Sequence, residues 1–438
     1  MKIKYILSLL FLIMGITGQI SATEIISDEV QSQKSTDSLK PKTNRFQFGG
    51  YGEVVMSRYF YSDNFNRYTY PEEYKSSVSR GQFDLPHVVL YSSYDFGKGW
   101  KVSTEIEFEH GGAGSSIEIE ADEFGEYESE IEKGGEIVLE QFWIEKKFSD
   151  HIYLRAGHII VPIGLTNQHH MPTEFFTNYR PEEETSIIPV TWHETGVSLW
   201  GYLGKWRYEA MLIAGLDADR FNNANWIKGG GGSPYEFKLA NAYAGVLRID
   251  NYSVKGLRLG ISGYYGHSAA NSLKADRYKG LKGAVTLGSF DLHYNAHNFQ
   301  IRGNIIYGDL TDSERISAIN KNLPKASPSP KTNVASNAMC YNVEAGYDFF
   351  SFIPKLSQKQ KFYLYVHYGF YDSMYKTEGK IADDARYSRH IAAAGINYYP
   401  IKNIVIKAEF FSRLFAEPYN TENTFSLGIA YSGLFDRS

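Results

Sequence analysis

From Phe46 to Phe435 the chain divides into about sixteen segments of roughly ten residues, each alternating apolar with polar positions. The last shows the pattern most clearly. Phe425, Leu427, Ile429, Tyr431, Gly433 and Phe435 take one face, and Thr424, Ser426, Gly428, Ala430 and Ser432 take the other. A period of two sends successive side chains to opposite faces of a strand, so one face suits lipid and the other a wet lumen. The predicted strands are 46–59, 84–96, 100–110, 136–149, 151–164, 194–204, 205–216, 239–250, 256–266, 282–296, 299–310, 340–350, 361–375, 389–400, 404–415 and 421–435.

The connections alternate in length. Short ones fall at Gly97-Lys98-Gly99, Ser149-Asp150, Gly204, Asp250 to Lys255, Ala296 to Asn298, Ser351 to Gln360 and Pro400 to Asn403. Long polar ones fall at 60–83, 111–135, 165–193, 217–238, 267–281, 311–339 and 376–388, with a brief one at 416–420. The pattern predicts an all-β fold, a transmembrane antiparallel β-barrel of about 16 strands with long extracellular loops and short periplasmic turns over 46–438. A barrel of this size encloses water, whereas eight strands fill with their own side chains. The runs Gly229-Gly230-Gly231-Gly232 and Ser327-Pro328-Ser329-Pro330 read as flexible or extended linkers.

Alternation also assigns the lumen side. On the third strand Trp100, Val102, Ile106 and Phe108 meet lipid, which turns Lys101, Ser103, Glu105, Glu107 and Glu109 inward. The same count gives the lumen Glu53, Arg155, Arg207, Glu209, Arg248, Arg258, Arg302, Lys407, Glu409 and Arg413. The arginines span several strands and the glutamates cluster on one. Such rows select ions by sign, or set a transverse field across a general diffusion pore.

Mean hydropathy is -0.35, which in a barrel is no argument against membrane insertion, because only alternate residues face lipid. The 34 tyrosines, 27 phenylalanines and 40 glycines fit aromatic girdles and strand bends. Residues 1–22 carry Lys2 and Lys4, an apolar run from Tyr5 to Ile16 and small residues to Ala22, the order of a secretory signal peptide. That apolar run is shorter than the roughly 20 residues a spanning helix needs. Residues 23–45 read as a disordered periplasmic tail. Cys340 is the single cysteine, so no internal disulfide holds the fold, and a net charge of -5 gives no reason to expect nucleic acid.

Several stretches carry a family resemblance. Ser79-Arg80-Gly81-Gln82-Phe83-Asp84-Leu85-Pro86-His87 with Val88 to Tyr91, Glu105 to Gly112, Leu154-Arg155-Ala156-Gly157, Val161-Pro162-Ile163-Gly164, Arg180-Pro181 and Ile187 to Gly196 resemble the phosphate-selective porin O and P family, in its Bacteroidetes branch. The resemblance covers roughly 46–215. It implies a sixteen-stranded outer-membrane porin of a Gram-negative cell, commonly a homotrimer among lipid and lipopolysaccharide, passing small hydrophilic solutes or anions such as phosphate. It also implies that the third external loop, 165–193, folds inward as a constriction, with His169, His170, Arg180, Glu182 and His193 as candidates for its filter. The family's lengthwise arginine ladder and lysine cluster do not align here residue by residue.

Other functions find less support. His158, His193 and His367 lack a motif with a serine or paired acid that would make a nucleophile or activated water, so no catalytic residues and no cofactor are expected. The acidic run from Glu118 to Glu136 follows no calcium-loop order and reads as a solvated surface, so no metal is expected either. The long loops suit a structural or adhesive role in length alone, without repeats or aromatic clusters to mark a binding face.

Overall fold

The structure, a computed structural model, describes residues 45–435 apart from 122–126, 190, 232–238 and 325–328, and gives the backbone alone for the remainder of 112–136. The proposed signal peptide, the tail up to residue 44, every side chain of the acidic run, Gly232, Ser327-Pro328 and the last three residues lie outside what is described.

The strands are β1 (Phe46–Tyr59), β2 (Arg80–Asp84), β3 (His87–Gly97), β4 (Trp100–Ala121), β5 (Tyr127–Ser149), β6 (Ile152–Ile160), β7 (His193–Leu203), β8 (Trp206–Ala214) and β9 (Tyr243–Asn251) in the first half. The second half holds β10 (Leu257–His267), β11 (Ala284–Ala296), β12 (Phe299–Leu310), β13 (Asn337–Asp348), β14 (Lys361–Lys376), β15 (Ser388–Ile401), β16 (Ile404–Phe415) and β17 (Glu422–Leu434). Both β2 and β3 pair with β1, on either side of Leu85-Pro86. Proline has no N–H to give the ladder, so one span is broken in two there. Sixteen antiparallel spans result. The pairing of β1 with β17, from Gly49 opposite Leu434 to Tyr59 opposite Thr424, closes the barrel.

The predicted segments 46–59, 299–310 and 404–415 coincide with β1, β12 and β16. The largest correction is the connection 111–135. After an irregularity between Glu109 and Gly114, β4 and β5 pair again as far as Ala121 opposite Tyr127. Charged residues alternating with isoleucine are compatible with a hairpin that leaves the membrane, where neither face has to be apolar.

Exposed aliphatic side chains such as Val54, Leu154, Leu199, Leu247, Ile305, Val366 and Ile429 cover the outer wall. Phe46, Phe48, Tyr94, Phe96, Trp100 and Phe148 crowd the rim on the short-turn side, where the Phe48 and Phe435 rings sit 5.5 Å apart. Amphipathic aromatic rings collect at such interfaces.

At the opposite end the long connections fold into a cap. Leu216, Phe221, Trp226 and Ile227 join Tyr278, Ile316, Val334 and Ile381 in one buried apolar cluster, continuous with Ile187, Ile188 and Trp192. Each fully buried large side chain of this kind contributes about 1.5–3 kcal/mol. The helix Ser313–Lys321, in a segment read as loop, buries Ile316 into this cluster. The glycine run is also not a linker. Lys228–Gly231 forms a tight turn in which Gly230 is buried, and a Cβ there would strike the Phe221 ring and the Asp217 carbonyl.

Candidate functional site

The connection 161–192 turns into the barrel and is bound to the wall along its length. Lys407 of β16 donates from Nζ to the carbonyls of Phe175 and Thr177 at 2.9 and 2.7 Å. Asn397 Nδ2 donates to the Phe176 carbonyl at 3.1 Å, and Asn178 Nδ2 donates to Ser426 Oγ at 2.9 Å. Arg302 reaches the carbonyls of His169 and Glu174, and Arg248 donates to the Gly164 carbonyl at 3.0 Å. A buried loop must have its backbone groups satisfied. Here the inward charges of the wall satisfy many of them.

The helical turn Glu182–Thr185, following Pro181, carries three consecutive glutamates. Successive positions of a helix point about 100° apart, so each takes a different partner. Glu182 accepts from Arg413 Nε at 2.8 Å, and Glu183 contacts His367 Nε2 at 2.7 Å. Glu184 turns back and accepts the backbone N–H groups of Leu165, Thr166 and Asn167 at 3.0, 3.1 and 3.0 Å.

The inward-pointing candidates lie as follows. Glu53, Glu105, Glu107, Arg207, Arg248, Arg258, Arg302, Lys407 and Glu409 are buried inside the barrel. Lys101, Glu109, Arg155 and Arg413 are half-buried. The expectation of rows sorted by sign requires correction, because each of these arginines has a carboxylate beside it. Arg155 lies 2.8 Å from Glu145 and Arg207 lies 2.6 Å from Glu209. Arg248 and Arg258 share Asp250 and Asp291 at 2.7 to 3.0 Å. Arg302 meets Glu344 at 3.4 Å, and Arg413 meets Glu422 at 3.1 Å as well as Glu182. Desolvation explains the pairing, since a charge away from bulk water is tolerated only beside its opposite.

Of the constriction candidates, His169, His170, Arg180 and Glu182 lie in the inward loop. Arg180 donates to Glu107 Oε1 at 3.1 Å. His193 does not belong with them: it opens β7, with its ring 4.6 Å from that of His158. Sequence reasoning missed Asp250, Asp291, Glu145, Glu344 and His367 as inward residues. The same alternation would have found them, Asp250 two positions from Arg248 and Glu344 opposite Arg302. A count from Ile137 and Leu139 would also have found Glu140, whereas a count back from Phe142 would not, because a bulge lies between them.

Between the loop and β14 to β17 remains a cavity of about 290 Å³, whose lining includes Tyr59, Tyr179, Arg180, Glu182, Glu409 and Arg413. Its walls carry both signs of charge and several hydroxyl groups, which suits water and small polar solutes.

No family model matches the chain. Over 369 residues it is 25% identical to an uncharacterised protein of Aquifex aeolicus (strain VF5), covering 83% of this chain and 74% of that one. OmpF of Salmonella typhi, solved in complex with daunomycin, is similar in structure with a TM-score of 0.52 at 10% identity, over 90% of this chain and 100% of that chain. OprB of Pseudomonas putida gives a TM-score of 0.50 at 10% identity, over 88% and 94%. The likeness is one of fold, the β-barrel of Gram-negative outer-membrane proteins.

Proposed function

We propose that the chain is an outer-membrane porin that passes small hydrophilic solutes and ions by passive diffusion past an inward-folded loop. The observation that carries this reading is that loop itself, bound inside a sixteen-span barrel beside a cavity of about 290 Å³ with mixed-charge walls. The solved structures of similar fold are outer-membrane porins. A preference for anions such as phosphate would rest on Arg180 and Arg413, which line the cavity. Their pairing with Glu107 and Glu182 favours weak selectivity over a phosphate-specific filter. Export by residues 1–22, insertion among lipid and lipopolysaccharide, and assembly as a homotrimer belong to the same reading.

Reconstitution in a planar bilayer under a potassium chloride gradient, with and without phosphate, tests it. An open channel with a small reversal potential is the expected result, and anion preference blocked by phosphate would shift the reading to the specialised family. Absence of conductance would favour a second reading, a structural or adhesive barrel, which draws its support from the packed apolar core of the cap.

A further inference from the structure

We propose that Glu105, Glu140 and His170 form a binding site for a divalent transition-metal cation of the zinc type, which ties the inward-folded loop to the barrel wall. Glu105 comes from β4, Glu140 from β5 and His170 from the loop. One ligand atom from each lies within 4.8 Å of the other two. The three residues are 9%, 0% and 7% exposed.

The hydrogen bonding around them leaves the ligand atoms over. Both carboxylate oxygens of Glu140 and Nε2 of His170 are buried without a hydrogen-bond partner among the described residues. A buried carboxylate in that condition is unfavourable unless a cation or a proton meets it. His170 Nδ1 lies 3.1 Å from the Asn167 carbonyl, to which it donates. That bond leaves the Nε2 lone pair for the cluster, where it lies 4.0 Å from Glu105 Oε1. A backbone carbonyl holding one ring nitrogen so that the other ligates is the usual support of a metal-binding histidine. Glu105 keeps its second oxygen on the Gln141 side-chain amide.

The backbone is shaped to bring Glu140 in. Glu105 stands opposite Gln141 and Ile106 opposite Leu139, so Glu140 is the extra residue of a β-bulge. Leu139 and Phe142 face outward, while the bulge turns Glu140 into the buried interior. Bulges recur where a side chain must be re-aimed.

Charge points the same way. Glu53, Glu105, Glu107 and Glu140 are four buried carboxylates; Arg180 pairs with Glu107 and His87 holds Glu53 at 2.7 Å, which leaves Glu105 and Glu140 without an ion pair to a lysine or arginine among the described residues. One imidazole nitrogen and two carboxylates suit zinc, cobalt, manganese or ferrous iron, whereas calcium and magnesium prefer oxygen alone. The neighbouring group His87, Glu107 and Glu109 is already engaged through Glu53 and Arg180.

The test uses the full chain purified in detergent, stripped with EDTA and titrated with Co²⁺ and Zn²⁺. One metal per chain and a cobalt d–d absorption band are expected. Glu140→Gln and His170→Ala should each weaken binding at least about tenfold, while His87→Ala retains it. Heat-modifiable gel mobility verifies that each variant is folded, and Glu105→Gln replaces any that is not. A folded wild-type chain that takes up no cobalt, or binding that survives both substitutions or is lost with His87→Ala alone, overturns the proposal. Binding is measured without conductance, so the porin reading can fail by itself.

Discussion

The guanidinium of Arg180 lies 3.1 Å from Glu107 Oε1 and 3.2 Å from the Tyr51 hydroxyl, joining the inward-folded loop to β4 and β1 where all three residues are buried. The pair works as a latch. Its attraction is set against desolvation of both charges, so its net worth is modest, but removing one partner strands the other.

Arg180→Met should therefore destabilise the loop's inward position by about 3–5 kcal/mol. The barrel keeps its strand ladders, and the expected outcome is a larger, noisier single-channel conductance with an unchanged heat-modifiable gel shift. Unaltered conductance would show that the other anchors hold the loop without Arg180.

Arg248→Gln removes one of the two guanidiniums that share Asp250 and Asp291, the one that also binds the Gly164 carbonyl. One positive charge disappears beside two buried carboxylates. The reversal potential under a salt gradient should move toward cation preference, most at low ionic strength where screening is weak.

The cap contains a carboxylate pair, Asp217 and Asp219, both buried. Burial, followed by the Asp219 charge, pushes the Asp217 carboxyl up to about 7 from an ordinary 3.8. A raised acid favours folding while it holds its proton. Its contribution is complete below about pH 4 and is lost between there and about pH 7, by a few kcal/mol in all. Hydrogen exchange of residues 215–231, corrected for intrinsic rates, should show increasing opening over that range and a plateau above it, with a shallower slope in Asp219→Asn.

Trp226 is fully buried, and its indole N–H donates to the Ala335 carbonyl at 3.0 Å. Trp226→Ala should cost the cap about 3–5 kcal/mol. Limited proteolysis should then cut within 215–242 and 311–336 while the barrel remains folded.

The sequence by itself determined the barrel. Period-two alternation is a local property, and a strand that touches lipid on one face has to show it, so β1, β12 and β16 were legible to the residue. The inward side of Arg248, Glu409 and Arg413 followed from the same count. Tertiary structure alone decided what those side chains meet. Glu183 and His367 are 184 positions apart, and Glu182 and Arg413 are 231 apart; barrel closure and the inward loop bring them together. At Glu140 one extra residue in β5 lets both it and Gln141 lie between the outward-facing Leu139 and Phe142, a change of phase that no single alternation count registers. The cap escaped reading because its apolar residues recur without a period and bury one another only after the strands have placed the loops side by side. Alternation is set by lipid, one residue at a time, whereas charge pairing and loop burial are set by neighbours that only the closed barrel supplies.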